Sequence, residues 1–263
     1  MATTYNNLYL DTRTRLKKAG IEGGQLEARE LICYAADKSR EQFYRDMHLY
    51  ASGELEKRVD ALVQRRLGGE PVAYIVGEWE FYGLPLNVSS EVLIPRIDTE
   101  VLAERGILKA RAAGEGARVL DLYAGSGQLG IEALSRGAAR CVFLDENREA
   151  VNIVMKNCKN CGVFDRSRVN IGEAARFLSA CREQFDLVLL DPPFHNGTLE
   201  NILPIVDKCV APGGIVICES ETKLVLPAEV GSLQLKKQYK YGKVLLWKYV
   251  RPMADAAEEE GEA

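Results

Sequence analysis

Over the first 67 positions, apolar residues recur at spacings of three and four among charges: Leu8, Leu16, Leu26, Leu31 and Ile32, then Leu55, Val59, Leu62 and Val63. That period predicts amphipathic helices, punctuated by Gly20, Gly23, Gly24 and Gly53. Residues 1–70 therefore read as a small helical domain. The period then changes. Ala73 to Val76, Trp79 to Tyr82 and Leu86 to Val88 are short aromatic or β-branched runs broken by Gly77, Gly83 and Pro85, which predicts a β-hairpin-like connector over residues 71–97. Asp98-Thr99-Glu100 opens another helix, with acids where the helix dipole favours them, running to about Ala112.

Beyond Gly116, short apolar runs alternate with helical stretches. The runs are Arg118–Tyr123, Cys141–Asp145, Arg168–Ile171, Phe185–Leu190 and Gly214–Cys218, with Leu129–Arg136 and Ala150–Asn160 among the helices. This alternation predicts an α/β domain over residues 98–251 whose parallel sheet is covered on both faces. Leu233–Tyr239 and Val244–Tyr249 flank the turn signal Tyr241-Gly242 and predict an antiparallel C-terminal hairpin. Residues 252–263 are small and acidic, the composition of a disordered tail.

Composition narrows the setting. The 263 residues are 47% hydrophobic, with no apolar run near the ~18 residues that a membrane span needs and no signal-like start. A cytoplasmic protein without a membrane partner is expected. Seven cysteines scattered from Cys33 to Cys218 suit reduced thiols. Cys158 and Cys161 have ligand-like spacing but no second pair or nearby histidine, so no metal is expected. The net charge of −4 divides unevenly: −3 over residues 1–105, +4 over 106–253 and −5 in the tail. Residues 106–253 are thus mildly basic, and overall acidity does not exclude a nucleic-acid partner.

The strongest local signal runs from Asp121 to Gly130, directly after a predicted strand and into a helix. Gly125, Gly127 and Gly130 permit a tight turn and a close approach of backbone to a ligand at the helix N-terminus. Asp145, at the end of the next strand, is placed to accept two ribose hydroxyls. An adenosine-containing cofactor follows from this spacing. Asp121 lies four residues before Gly125, near the ligand end of its strand, where its charge would oppose a pyrophosphate and suit a cationic amino-acid moiety. S-adenosyl-L-methionine has that moiety and no phosphates.

Asp191-Pro192-Pro193-Phe194 ends the fourth parallel strand, Phe185–Leu190, on the side where open α/β sheets bind ligands. Two prolines fix a rigid, carbonyl-exposing turn. An amide or exocyclic amino nitrogen is a poor nucleophile because its lone pair is delocalised. Accepting its two hydrogens through the Asp191 carboxylate and the Pro192 carbonyl would hold it for attack, and Phe194 would stack on the planar target. A nicotinamide-dependent dehydrogenase would use the same glycines but leaves this motif without a role. A catalytically silent binding module is the other alternative. His195 is not required as a base, because the methylated nitrogen can lose its proton to solvent. Lys236, Lys237, Lys240 and Lys243 read as protection of a sheet edge.

With these motifs the chain resembles class I S-adenosylmethionine-dependent N-methyltransferases, through two families in different halves. Residues 118–250 resemble the small-subunit rRNA guanine-N(2) methyltransferases through DLYAGSGQLGIEALSRGA, FLDENREAV, DLVLLDPPF and YGKVLLWKY. Residues 8–104 resemble the N-terminal domain and connector of the peptide chain release factor glutamine N(5)-methyltransferases. RRLGGEPVAYIVGEWEFYGLPLNVSSEVLIPRIDTEVL is the most specific stretch. Ile97-Asp98 stands where that family usually shows Pro-Glu, and Asp191 and Phe194 depart from its Asn-Pro-Pro-Tyr motif. The resemblance implies a seven-strand Rossmann-like sheet behind a helical, substrate-recruiting domain. It also implies an enzyme whose Tyr123, Ala124, Gly125, Ser126, Gly127 and Asp145 hold the cofactor, with Glu173 near the adenine and Asp191 to Phe194 forming the target pocket. The expected acceptor is a release-factor glutamine, recruited by the N-terminal domain; rRNA guanine is the alternative.

Overall fold

The computed structural model describes residues 3–95, 116–194 and 197–253. The helix expected from Asp98, His195 and all but the first two residues of the expected tail lie outside the described residues. The chain divides into two units, Met1–Trp79 and Glu80–Ala263.

The first unit is helical: α1 (Tyr5–Lys18), α2 (Gly24–Ala36), α3 (Arg40–Arg45), α4 (Gly53–Leu67) and α5 (Val72–Val76). Side-chain caps start three of these helices. Thr4 accepts from the Asn7 N–H, Ser52 accepts from the Leu55 N–H, and Ser39 forms a reciprocal capping box with Gln42, which satisfies amide donors that have no partner within the helix. The apolar stripes close on Leu16, Leu31, Ile32, Phe43, Val59 and Val63, all fully buried. The expectation of an extended run at Ala73–Val76 is corrected, because this segment is α5. Pro71 starts the helix and Gly77 ends it in the left-handed region at φ 78°. Helical spacing buries Val72 and Ile75, three apart, in the same core. Packing here overrides the β-branched composition.

A hairpin of β1 (Glu78–Phe81) and β2 (Leu84–Asn87) comes next. It turns through Tyr82 and Gly83 at φ 49° and 78°, the double positive φ of a two-residue turn matched to strand twist.

The second unit is built on one sheet. Its strands are β3 (Arg118–Leu122), β4 (Arg140–Asp145), β5 (Ser167–Ile171), β6 (Phe185–Leu190), β7 (Val210–Glu221), β8 (Glu229–Val230), β9 (Leu233–Tyr241) and β10 (Val244–Val250). Their order is β5-β4-β3-β6-β7-β10-β9-β8. The first five are parallel, and β10 inserts antiparallel between β7 and β9. The parallel sheet and the C-terminal hairpin are as expected. The two-residue β8 is additional, and β7 is longer than the apolar run that announced it. On one face lie α6 (Gln128–Ser135) and α7 (Arg148–Asn160), together with Phe81 and Leu86 of the hairpin. On the other lie α8 (Ala174–Ala180) and α9 (Thr198–Val206) with Trp247 and Tyr249. The last two bury their polar atoms paired: Trp247 donates to Ser220 Oγ at 2.8 Å and Tyr249 to the Pro227 carbonyl at 2.7 Å.

β3 and β6 are neighbours from which the strand order runs outward in both directions, so their C-terminal ends flank a topological switch point. One polar group lies beneath it. Asp121 on β3 is fully buried and accepts the Gly130 N–H at 2.9 Å. Burial, with Asp145 adding to it, pushes its carboxyl up to about 8. Gly130 lets α6 sit this low, since a Cβ there would meet the Cys141 sulfur at 2.7 Å and the Phe143 ring.

Gly130→Ala therefore forces α6 off β4 and costs about 2 kcal/mol, read as a lower urea midpoint at unchanged m-value; an unchanged midpoint would contradict the packing. A carboxyl raised by folding binds its proton more tightly in the native state, so stability falls as pH rises from about 4 to about 8. Asp121→Asn keeps an acceptor for Gly130 and removes this component. Its stability relative to the parent is expected to rise with pH between 5 and 8 in urea titrations, and parallel pH slopes would refute the assignment.

Candidate functional site

The segment after β3 turns in a conformation that costs most side chains strain. Tyr123, Gly125 and Gly127 all have positive φ, at 63°, 54° and 79°. Tyr123 is the informative one, because a bulky residue in the left-handed region persists only where its surroundings hold it there. The turn is tied across the sheet to the end of β4. The Ala124 N–H donates to the Leu144 carbonyl at 3.1 Å, and the Gly125 N–H donates to Asp145 Oδ2 at 2.9 Å. The other oxygen, Asp145 Oδ1, accepts the Asn147 N–H at 2.9 Å. Both carboxylate oxygens are oriented by backbone donors, and each keeps a lone pair for a ligand. Gly127 then starts α6, so close to α7 that a Cβ would lie 3.1 Å from Val154.

This turn forms the floor of a cavity of about 390 Å³. Tyr123, Ala124, Gly125, Ser126, Asp145 and Glu173 line it, and Asp191 and Pro193 reach it from the end of β6. Asp121 and Gly127 are placed differently. Asp121 supports the loop from below through Gly130, and Gly127 sets the approach of α6; neither lines the cavity. Glu173 occupies the N-cap position of α8. Burial, with Glu146 and Glu173 adding to it, pushes the Tyr123 phenol up to about 12, so it stays a neutral donor.

The lining also tests the cofactor. Five carboxylate residues, Glu91, Asp145, Glu146, Glu173 and Asp191, line this cavity, and no lysine or arginine does among the described residues. Such a wall repels a pyrophosphate and suits an adenosine joined to a cationic group. Ser126 Oγ is buried at the floor without a protein partner, an atom for a ligand to satisfy. The site therefore fits S-adenosyl-L-methionine and disfavours a dinucleotide.

A second cavity of about 240 Å³ adjoins the first, and both are lined by Leu93, Gln128, Asp191 and Pro193. Its remaining walls are Ile94, Pro192, Phe194 and Glu219. The whole Asp191 to Phe194 motif thus borders one small, partly apolar chamber, with two carboxylates on its surface.

Sequence reasoning missed several of these residues. Glu91 to Ile94, after β2, form a wall of both cavities although they belong to the connector. Gln128, the first residue of α6, also lines both, and its Oε1 is buried without a partner. Glu219 comes from β7 and is buried. The available signal was positional: Gln128 directly succeeds the glycine turn, and Glu219 stands near the C-terminal end of a parallel strand, where ligands bind. Among the described residues no cluster suited to a metal ion occurs, and no helix is long and apolar enough to cross a membrane.

Residues 7–77 match the PrmC N-terminal domain. The release factor glutamine methyltransferase of Shewanella oneidensis is 35% identical over 185 residues, 70% of this chain, and the chain spans 63% of that protein's length. The putative rRNA methyltransferase YlbH of Bacillus subtilis is 35% identical over 133 residues, 49% of this chain and 72% of its own. Among solved structures, the putative methyltransferase yhhF from Escherichia coli superposes with a TM-score of 0.55 at 28% identity, covering 64% of this chain and 92% of its own. Residues 99–250, more than half of the chain, match the family described as Conserved hypothetical protein 95, and the chain belongs to that family.

Proposed function

We propose that this chain is an S-adenosyl-L-methionine-dependent N-methyltransferase of the translation apparatus that methylates the side-chain amide of a glutamine in a peptide chain release factor. The cofactor reading is carried by the acid-lined cavity over the glycine turn, which no lysine or arginine lines among the described residues. The acceptor reading rests on the match of residues 7–77 to the PrmC N-terminal domain, which continues into the catalytic half in relatives named release factor glutamine methyltransferase. On this reading residues 1–70 recruit the substrate, 71–97 connect and 98–251 carry the chemistry.

The roles derive from the walls. Asp145, preset by two backbone donors, accepts the ribose hydroxyls, Ser126 and Tyr123 offer hydroxyls, and Glu173 stands on the adenine side. When bound, the cofactor supplies a methyl already activated by its sulfonium, so the protein's work is alignment and charge placement. Asp191 and the Pro192 carbonyl accept hydrogen bonds from the two N–H groups of the target nitrogen. Phe194, packed against the apolar core, presents a flat surface to the planar amide and excludes water.

A second acceptor is favoured by one specific observation. Asp191 and Glu219 both line the acceptor chamber, and guanine presents adjacent N–H donors on one edge, whereas a carboxamide also needs a donor for its oxygen. Guanine-N(2) methylation of small-subunit rRNA is therefore the alternative.

Transfer of labelled methyl from S-adenosylmethionine into separate pools of release factor and small ribosomal subunits decides between them. Label in the release factor is expected; label confined to nuclease-sensitive material would overturn the protein substrate. Asp191→Ala should lower turnover at least 100-fold, of the order of removing a key transition-state contact, while S-adenosylhomocysteine binding in calorimetry stays within about threefold. Retained turnover would remove Asp191 from the chemistry.

A further inference from the structure

Asn157, on α7, is outside both cavities, yet it touches the segments that wall them. Its side chain is fully buried and uses its whole hydrogen-bonding capacity. Its Oδ1 accepts the Asn87 N–H at 2.7 Å and Asn87 Nδ2 at 3.1 Å. Its Nδ2 donates to the Asn87 carbonyl at 3.0 Å and to the Ser126 carbonyl at 2.9 Å. One amide therefore clamps the end of β2 and the glycine turn to the same helix.

The residues immediately beyond Asn87 give this clamp its importance. Val88 and Val92 are buried, and Glu91 to Ile94 wall the cofactor cavity, the acceptor chamber or both. The Asn147 side chain, with Nδ2 3.4 Å from Glu91 Oε2, adds a weaker outer tie. Ser126 belongs to the cofactor floor. The separation between the connector wall and the cofactor floor is thus fixed through Asn157. Aligning two reactants for transfer is sensitive to displacements of about 1 Å.

We propose that Asn157 is a positioning residue for methyl transfer, holding the acceptor-side wall 91–94 in register with the cofactor turn 123–127. This rests on the methyltransferase reading above. It makes the connector a working part of the catalytic unit, and it gives a side chain that contacts neither substrate nor cofactor control over their alignment.

The test uses the full-length chain with Asn157→Leu, which keeps the volume and removes the four bonds, and Asn157→Asp, which keeps the accepting oxygen and loses both donations. Three quantities are measured in each: kcat on whichever acceptor pool the parent labels, KM for S-adenosylmethionine, and amide hydrogen exchange over residues 88–94. Asn157→Asp should lower kcat about tenfold and Asn157→Leu further, with KM for the cofactor changed less than threefold and exchange over 88–94 at least tenfold faster. A variant that melts earlier but keeps parental kcat and parental exchange in its folded fraction would overturn the proposal. Should Asn157→Leu fail to fold, Asn157→Asp alone decides. A parent that labels neither pool would instead overturn the methyltransferase reading, and accelerated exchange over 88–94 would still establish the clamp.

Discussion

The hydrogen bond from the Gly125 amide to the Asp145 carboxylate, with Asn147 holding the other oxygen, is the constraint on which the site rests. It joins the ends of two neighbouring parallel strands, β3 and β4, and forces the intervening turn to present its backbone upward at the switch point. Everything that lets the turn close serves that one geometry. Gly127 and Gly130 admit α6 against α7 and β4, Tyr123 accepts a left-handed backbone, and Asp121 takes up the Gly130 amide from below. A carboxylate so held is an acceptor fixed in position before any ligand arrives, and it costs no reorganisation on binding.

The charge of the cavity determines the class of ligand. Glycine turns of this spacing serve dinucleotides as well as adenosyl cofactors, and the turn alone does not separate them. The wall does: five acids surround the space and no described cation offsets them. Phosphates would be opposed there, whereas a positively charged amino-acid moiety would be attracted. The chain also brings together what two resemblances kept apart. The end of β2 is clamped by Asn157 to the glycine turn of the sheet within residues 99–250, which match Conserved hypothetical protein 95. The acceptor chamber takes walls from both, Leu93 and Ile94 from the connector and Asp191 to Phe194 from the sheet.

Much of this was legible in the residues because local chemistry dictated it. Positive φ favours glycine, strand ends carry the ligand groups of a parallel sheet, and a double proline cannot lie inside a sheet. The turn, Asp145 and the Asp191 motif, singled out by spacing, and Glu173, singled out by resemblance, all line the cavities. What escaped depends on packing between distant segments. Val72 to Val76 has the composition of a strand and became a helix because that period buries Val72 and Ile75 together. Asp121 was read as facing the ligand, but its buried carboxyl accepts the Gly130 N–H instead. Glu91, Gln128 and Glu219 come from three segments separated along the chain, and only the folded sheet and its clamped connector bring them to common walls.

The most direct test of the central claim is a pair of calorimetric titrations, with S-adenosylhomocysteine and with NADH, on the parent chain and on Asp145→Ala. A single site for S-adenosylhomocysteine is expected, weakened at least tenfold by Asp145→Ala, of the order of losing a charge-assisted hydrogen bond, with no measurable heat from NADH. Tight NADH binding, or S-adenosylhomocysteine binding indifferent to Asp145, would contradict it.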